Sequence, residues 1–293
     1  LLRIIRRNFT PGERAVAAEF HKVFNMEGFD KDQTPPWQMV PVGGDRYLAL
    51  RNGKDMTVRA SPTGVLAVTE ITRSQLPTHG RHLMPLHTGD RLFKLTGISK
   101  GHALLGAGPT IGPPSAALQI DTKHRKTVRV TFNFVRDSAG HHTTRSPSSA
   151  AAWVRAMNWI YNGQANIFVT LRTSRSLAVP IDLGTVVTWS AGAGSEWNTV
   201  TALGDTAADM NYFLVWEYEQ GGTGDTDAGT LTGNCIFEDH AGRAIGVTMA
   251  HEMGHHLGAA DHYDGARRIH LMHGITDARG EHLPMADVNV MNP

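Results

Sequence analysis

The stretch His251-Glu252-Met253-Gly254-His255-His256-Leu257-Gly258-Ala259-Ala260-Asp261 brings three metal-ligand candidates and one general base into eleven residues. Residues four apart on a helix share a face, so His251 and His255 can offer two imidazole nitrogens to one ion at the roughly 2.0–2.1 Å usual for zinc. Glu252 is rotated about 100° around the helix from His251, which suits a carboxylate that contacts a water rather than the ion. Gly258 can end the helix in the left-handed conformation that costs glycine little. The redirected chain then returns Asp261 as a third, oxygen donor. Just upstream, Ala244, Ile245, Thr248 and Met249 form one helical stripe, so the helix has a face to bury. Eleven residues beyond Asp261, Met272 stands in the apolar turn Ile269-His270-Leu271-Met272-His273-Gly274.

The pattern H-E-x-x-H-x-x-G-x-x-D followed by a methionine turn resembles the metzincin zinc proteases, and the aspartate in third place resembles their snapalysin-like branch of small secreted bacterial endopeptidases. The resemblance rests on Thr248, Ala250, His251, Glu252, Gly254, His255, Leu257, Gly258, Asp261, His262, Tyr263 and Gly265, then Leu271 and Met272, and it covers about residues 227–274. It implies His251, His255 and Asp261 as ligands of Zn2+, Glu252 as base and proton shuttle, and Met272 as the apolar floor beneath the metal. His262, next door, is the alternative third ligand. Met291, in the closing Asn289-Val290-Met291-Asn292-Pro293, is the alternative methionine. The implied reaction is hydrolysis of a peptide bond by a metal-activated water, with a protein or peptide as substrate.

Composition narrows the field further. The 293 residues suit two domains. With 28 basic against 27 acidic residues and no long run of one sign, the chain lacks the electrostatic footprint of a nucleic-acid binder. Cys235 is the only cysteine, which excludes an intramolecular disulfide and a polycysteine zinc site and points to structural burial. No stretch reaches the roughly 18 apolar residues of a membrane span. The start, Leu1-Leu2-Arg3-Ile4-Ile5-Arg6-Arg7-Asn8, has neither an initiating Met nor an apolar core of signal-peptide length, and reads as a fragment or processed form. Sixteen histidines are many for this length; His240, His262, His270, His273 and His282 cluster in sequence around the motif, and most are expected to be solvated or capping residues.

The expected fold class is α+β, in three stretches. Residues 1–36 read as an N-terminal helical segment: Thr10, Pro11 and Glu13 make a capping pattern ahead of a helix to about Asn25. Residues 37–124 read as an all-β, Ig-like sandwich, with short strands near 47–50, 56–60, 65–71, 91–95, 102–105 and 117–120 separated by turns such as Asn52-Gly53 and Ser61-Pro62. Residues 125–293 read as a zincin-like catalytic domain with a twisted mixed sheet and an active-site helix. Its strands are expected near 126–135, 167–172, 186–189, 211–218 and 234–238, with a helix over 150–161. The strand-helix-strand order implies a parallel crossover. Near Ala228 to Gly233 an edge is expected to receive an extended peptide. Asp225 and Asp227, in a glycine-rich loop, are candidates for Ca2+.

Two readings compete with the peptidase. One is an adhesion or delivery module with an incidental zinc site, and the other is a zinc hydrolase of cell-wall peptides. A β-rich module ahead of a protease also suits a secreted protease, or an effector or toxin delivered outside the producing cell, with a secretion apparatus or an inhibitor as partner.

Overall fold

The computed structural model describes residues 17–78, 80–188, 196–218, 233–239, 245–263, 269–274 and 280–293, and the backbone of 228–231. The chain is α+β, with three sheets and four α-helices among the described residues.

The first two sheets face each other. One has the order β1 (Glu19–Lys22), β4 (Asp45–Arg51), β7 (Arg91–Gly97), β6 (Leu66–Ile71), all antiparallel. The other has the order β2 (Phe29–Asp30), β3 (Trp37–Pro41), β9 (Ala116–Lys123), β8 (Gly101–Gly108), β5 (Thr57–Ser61), in which only β3 and β9 run parallel. Apolar residues at alternate positions point inward from both: Phe20, Leu48, Leu50, Phe93 and Leu95 from one, and Val40, Ala103, Leu105, Leu118 and Ile120 from the other. That period of two is what a sheet with one buried face requires.

The helix expected up to Asn25 is instead a strand where the structure describes it, and residues 1–16 lie outside the described residues. Ala18 and Phe20 are buried while Glu19 between them is exposed, a strand alternation that pairs Glu19–Lys22 with β4. Pairing across the sheet outweighs a local capping signature. Ala18, Phe20 and Phe29 therefore belong to the sandwich core.

The third sheet has the order β11 (Ile167–Ala178), β10 (Lys126–Arg136), β12 (Met210–Leu214), β14 (Asn234–Phe237), β13 (Ala228–Leu231). The first four strands are parallel, and β13 closes the edge antiparallel to β14. Between β10 and β11 runs α1 (Ala150–Ala165), the expected crossover. It packs with α3 (Ile245–His256) on one face, where Val130, Phe132, Met157, Tyr161, Tyr212, Met249 and Met253 share a core with Val288 and Met291 of α4 (Met285–Met291). The opposite face is covered by α2 (Glu196–Ala202), whose Trp197 and Val200 meet Val135, Phe213 and Ile236. Cys235 is fully buried in this sheet.

The strand expected over 186–189 contributes only a bridge between Val187 and Tyr218, and residue 189 lies outside the described residues. The strand expected over 211–218 stops at Leu214, where its partner β14 also runs out at Phe237. No described helix is long and apolar enough to cross a membrane.

The sandwich and the third sheet are joined by more than the turn between β9 and β10. Along β3, Val40 points into the sandwich core while Trp37 and Met39 point into the core beneath α1 and α3. Buried Arg46 donates to the Gly163 carbonyl at 2.6 Å and to the Glu27 carbonyl at 3.2 Å. Lys123 donates to the Asn292 carbonyl at 2.6 Å, tying the sandwich to the end of α4.

Candidate metal centre

Two buried tyrosines hold α3 where its histidines begin. Tyr161 donates to the Ala250 carbonyl at 2.6 Å and Tyr212 to the Met249 carbonyl at 2.7 Å. Burial raises both phenol pKa values well above the ordinary range, so both stay neutral donors. Just beyond this clamp, His251 and His255 stand one turn apart, with their Nε2 atoms 3.0 Å from each other. Glu252, only 5 % exposed, places Oε1 3.9 Å from the His251 Nε2.

The helix ends as its glycine allows. Gly258 sits at φ +100, its N–H bonds to the His255 carbonyl at 2.9 Å, and the Ala259 N–H bonds to the Gly254 carbonyl at 2.9 Å. The chain turns back and Asp261 Oδ1 arrives 3.3 Å from the His251 Nε2 and 3.5 Å from the His255 Nε2. Three donor atoms about 2.0–2.1 Å from one tetrahedral centre would lie roughly 3.3 Å apart. The observed triangle has that size.

Its chemistry points the same way. His251 Nδ1 is 2.9 Å from the Leu271 carbonyl and His255 Nδ1 is 3.0 Å from the Ala259 carbonyl. A carbonyl only accepts, so each Nδ1 carries the proton and each Nε2 presents a lone pair. Asp261 Oδ1 is buried with no hydrogen-bond partner. Two nitrogen lone pairs and one carboxylate oxygen therefore converge, an arrangement that a cation stabilises and that is repulsive otherwise. Where no cation is bound, a proton on the imidazoles takes its place: burial raises the Asp261 pKa, but the protonated rings more than offset it and hold the carboxyl well below the usual range. The residues present fit a divalent ion.

His262, the alternative third ligand, points elsewhere: its Nε2 is 2.9 Å from Oδ1 of Asp287 on α4. Both candidate methionines lie under the helix. A Cβ on Gly254 would collide with the Met272 Sδ and come within 3.1 Å of the Met291 Cε. Met272 occupies the expected turn, which is fastened by the His262 N–H to the Met272 carbonyl at 2.7 Å and the Gly274 N–H to the His262 carbonyl at 2.9 Å. Asp225 and Asp227 lie outside the described residues.

The surrounding histidines differ from expectation. His270 and His273 are buried rather than solvated, because the one segment that carries both pairs through bridges to His282 on one side and His262 on the other. His240 lies outside the described residues. Tyr263, to which the sequence assigns no role, donates its hydroxyl to Asp261 Oδ2 at 3.0 Å. The signal was its position two residues on, which in extended backbone returns a side chain to the same face. Asp287 left no local signal.

A second group of donors, Asp137, His141 and Asp182, lies within 4.8 Å. Its atoms are already used: Asp137 Oδ2 accepts from the His141 Nδ1 at 2.8 Å and the Leu183 N–H at 3.0 Å. That group anchors two loops rather than completing a site.

No protein-family model matches the sequence, and no curated protein matches it. Among solved structures, metalloproteinase-II from Bacteroides fragilis is similar at 11% identity and a TM-score of 0.36, over 86% of this chain and 84% of that one. Domains 4 and 5 of the S-layer protein SbsC align at 10% identity and a TM-score of 0.21, over 35% of this chain and 46% of that one. A chaperone-substrate complex aligns at 15% identity and a TM-score of 0.34, over 68% of this chain and 37% of that one. This chain thus spans less than half the length of the latter two.

Proposed function

We propose that the chain is a zinc-dependent endopeptidase of the metzincin type, snapalysin-like in its ligand set, with an Ig-like sandwich as scaffold. The observation that carries the reading is the triangle of His251 Nε2, His255 Nε2 and Asp261 Oδ1 with sides of 3.0, 3.3 and 3.5 Å, next to the buried Glu252. Three protein ligands leave a fourth position open, as catalytic rather than structural zinc sites do. Bound zinc supplies Lewis acidity, lowering the pKa of water towards about 7 and polarising the scissile carbonyl.

His251, His255 and Asp261 would hold the ion, with the Leu271 and Ala259 carbonyls orienting the two rings. Glu252 takes the proton of the attacking water and returns it to the departing amine. Among the described residues β13 is an edge strand that pairs with β14 on one side, and the backbone groups of its other side would receive an extended peptide. The alternative of an adhesion module with an incidental zinc site is disfavoured by β3, whose Trp37 and Met39 make the sandwich part of the core under the site.

Hydrolysis of casein or a quenched peptide, abolished by a chelator and restored by Zn2+, tests the reading. Glu252→Gln should retain zinc by elemental analysis while turnover falls by about 10²–10⁴-fold. Full turnover in that variant, or no zinc in the wild type, would overturn it.

A further inference from the structure

We propose that Asp287 is a positioning residue that selects Asp261 over His262 as the third ligand, by holding the His262 ring away from the donor triangle. The proposal rests on the metal reading above and deepens it.

Neighbouring side chains in extended backbone point to opposite sides. Asp261 faces His251 and His255, and His262 faces α4, where its Nε2 meets Asp287 Oδ1 at 2.9 Å. The pair is shielded, with side-chain exposures of 16% and 5%, so a hydrogen bond to a carboxylate is strong there. The other oxygen, Asp287 Oδ2, is buried without a hydrogen-bond partner, which leaves the His262 bond to compensate the carboxylate. Rotating His262 towards the metal donors would strand that group. Rotation is also opposed by the backbone, since the His262 N–H and carbonyl are both tied to the methionine turn.

The holder is itself held. Val288 and Met291 of α4 are buried in the core with Met249 and Met253, and the Met285 N–H bonds to Asp30 Oδ2 at 3.0 Å. The Leu283 N–H bonds to Gln164 Oε1 at 3.0 Å. Asp287 is therefore a fixed point that α4 sets against α3. Two potential ligands stand side by side in the sequence, and a residue 25 positions away decides which one is offered.

Co2+ titrations of the whole chain, followed by visible d–d absorption and chelator competition, test the assignment. Asp287→Ala should weaken Co2+ by roughly 10–100-fold, and Asp287→Asn, which can still accept from His262, should lose far less. Asp261→Ala should weaken Co2+ more than Asp287→Ala does. Adding Asp287→Ala to Asp261→Ala should recover about tenfold or more of that loss and move the d–d bands towards a three-nitrogen set, because His262 is released. A merely structural role for Asp287 predicts further loss in the double variant instead, and that result overturns the proposal.

If Asp287→Ala does not fold, a His262 variant decides. His262→Gln, which can still donate to Asp287 and brings no competing imidazole, should bind Co2+ within about threefold of wild type. A loss of about tenfold or more in that variant would mean that His262 is itself a ligand and would refute the assignment. Wild-type protein that takes up no Co2+ sinks the metal reading and this proposal with it, whereas wild-type binding with an unaffected Asp287→Ala sinks the proposal alone.

Discussion

Gly254 shows two residue-scale effects in opposition. It sits mid-helix, where alanine is favoured over glycine by about 1 kcal/mol. Its missing Cβ, however, is the space into which the Met272 Sδ fits, and Met272 is fully buried and has nowhere to retreat. Overpacking a filled core costs about 1–3 kcal/mol, so the steric effect should win. Gly254→Ala is expected to lower stability by about 1–2 kcal/mol in a urea melt, and a neutral or stabilised variant would show that Met272 repacks freely. Metal affinity should fall with it, because the turn that carries Met272 also carries the Leu271 carbonyl that orients His251. The positions of His251, Glu252 and His255 are legible in the sequence because helical spacing alone puts them together. Tyr263 is legible by its two-residue offset from Asp261. The Asp287 contact is not, since it depends on how α4 docks.

At the scale of elements, the exit from α3 determines whether Asp261 reaches the histidines. Gly258 has φ +100, a region that an L side chain occupies only with strain, and a Cβ there would stand 3.3 Å from the Val290 Cγ1. Gly258→Ala is expected to cost about 1–2 kcal/mol and to weaken binding of a divalent metal. Gly64 has open space around it and no positive φ, so Gly64→Ala serves as the control and should melt within about 0.5 kcal/mol of wild type. Matching losses in the two variants would mean that the Gly258 conformation is not what sets the turn. Most strands can be placed from the sequence, because alternation along segments such as 45–51 and 126–136 survives whatever they pair with. β1 reads locally as helix because Thr10, Pro11 and Glu13 announce one, whereas Ala18 and Phe20 announce a strand only once β4 lies beside them. Likewise, the run Trp37-Gln38-Met39-Val40 is buried throughout, and its apolar character cannot reveal that it serves two cores.

At the scale of the whole molecule, His282 lies where the sandwich meets the half that carries the donor triangle, and its titration couples the stability of the two to pH. Burial is the main cause that brings its pKa down to about 4; the neighbouring His270 and Lys22 act in the same sense, and Asp30 and Asp32 oppose them. In the unfolded chain the same imidazole titrates near about 6.5. Between these values the unfolded state binds the proton and the folded state does not, so stability rises with pH through the window and is lost on acidification from about 6.5 to about 4. Below about 4 both states are protonated and the loss levels off. The full swing is about 3 kcal/mol, because each tenfold difference in proton affinity between the two states is worth roughly 1.4 kcal/mol. His282→Gln removes the titrating group but leaves its backbone bonds, in which the Leu271 N–H binds the His282 carbonyl at 2.8 Å and the His282 N–H binds the Ile269 carbonyl at 3.1 Å. In urea melts of metal-free protein at intervals from pH 7 to pH 4, wild type should therefore lose stability relative to the variant as the pH falls, at about 1 kcal/mol per pH unit. Contributions from all other titrating groups cancel in the difference, since both proteins carry them. Parallel curves across the window would show that His282 is protonated in the folded state, and that the sandwich and the half with the donor triangle meet around a charged imidazole rather than a neutral one.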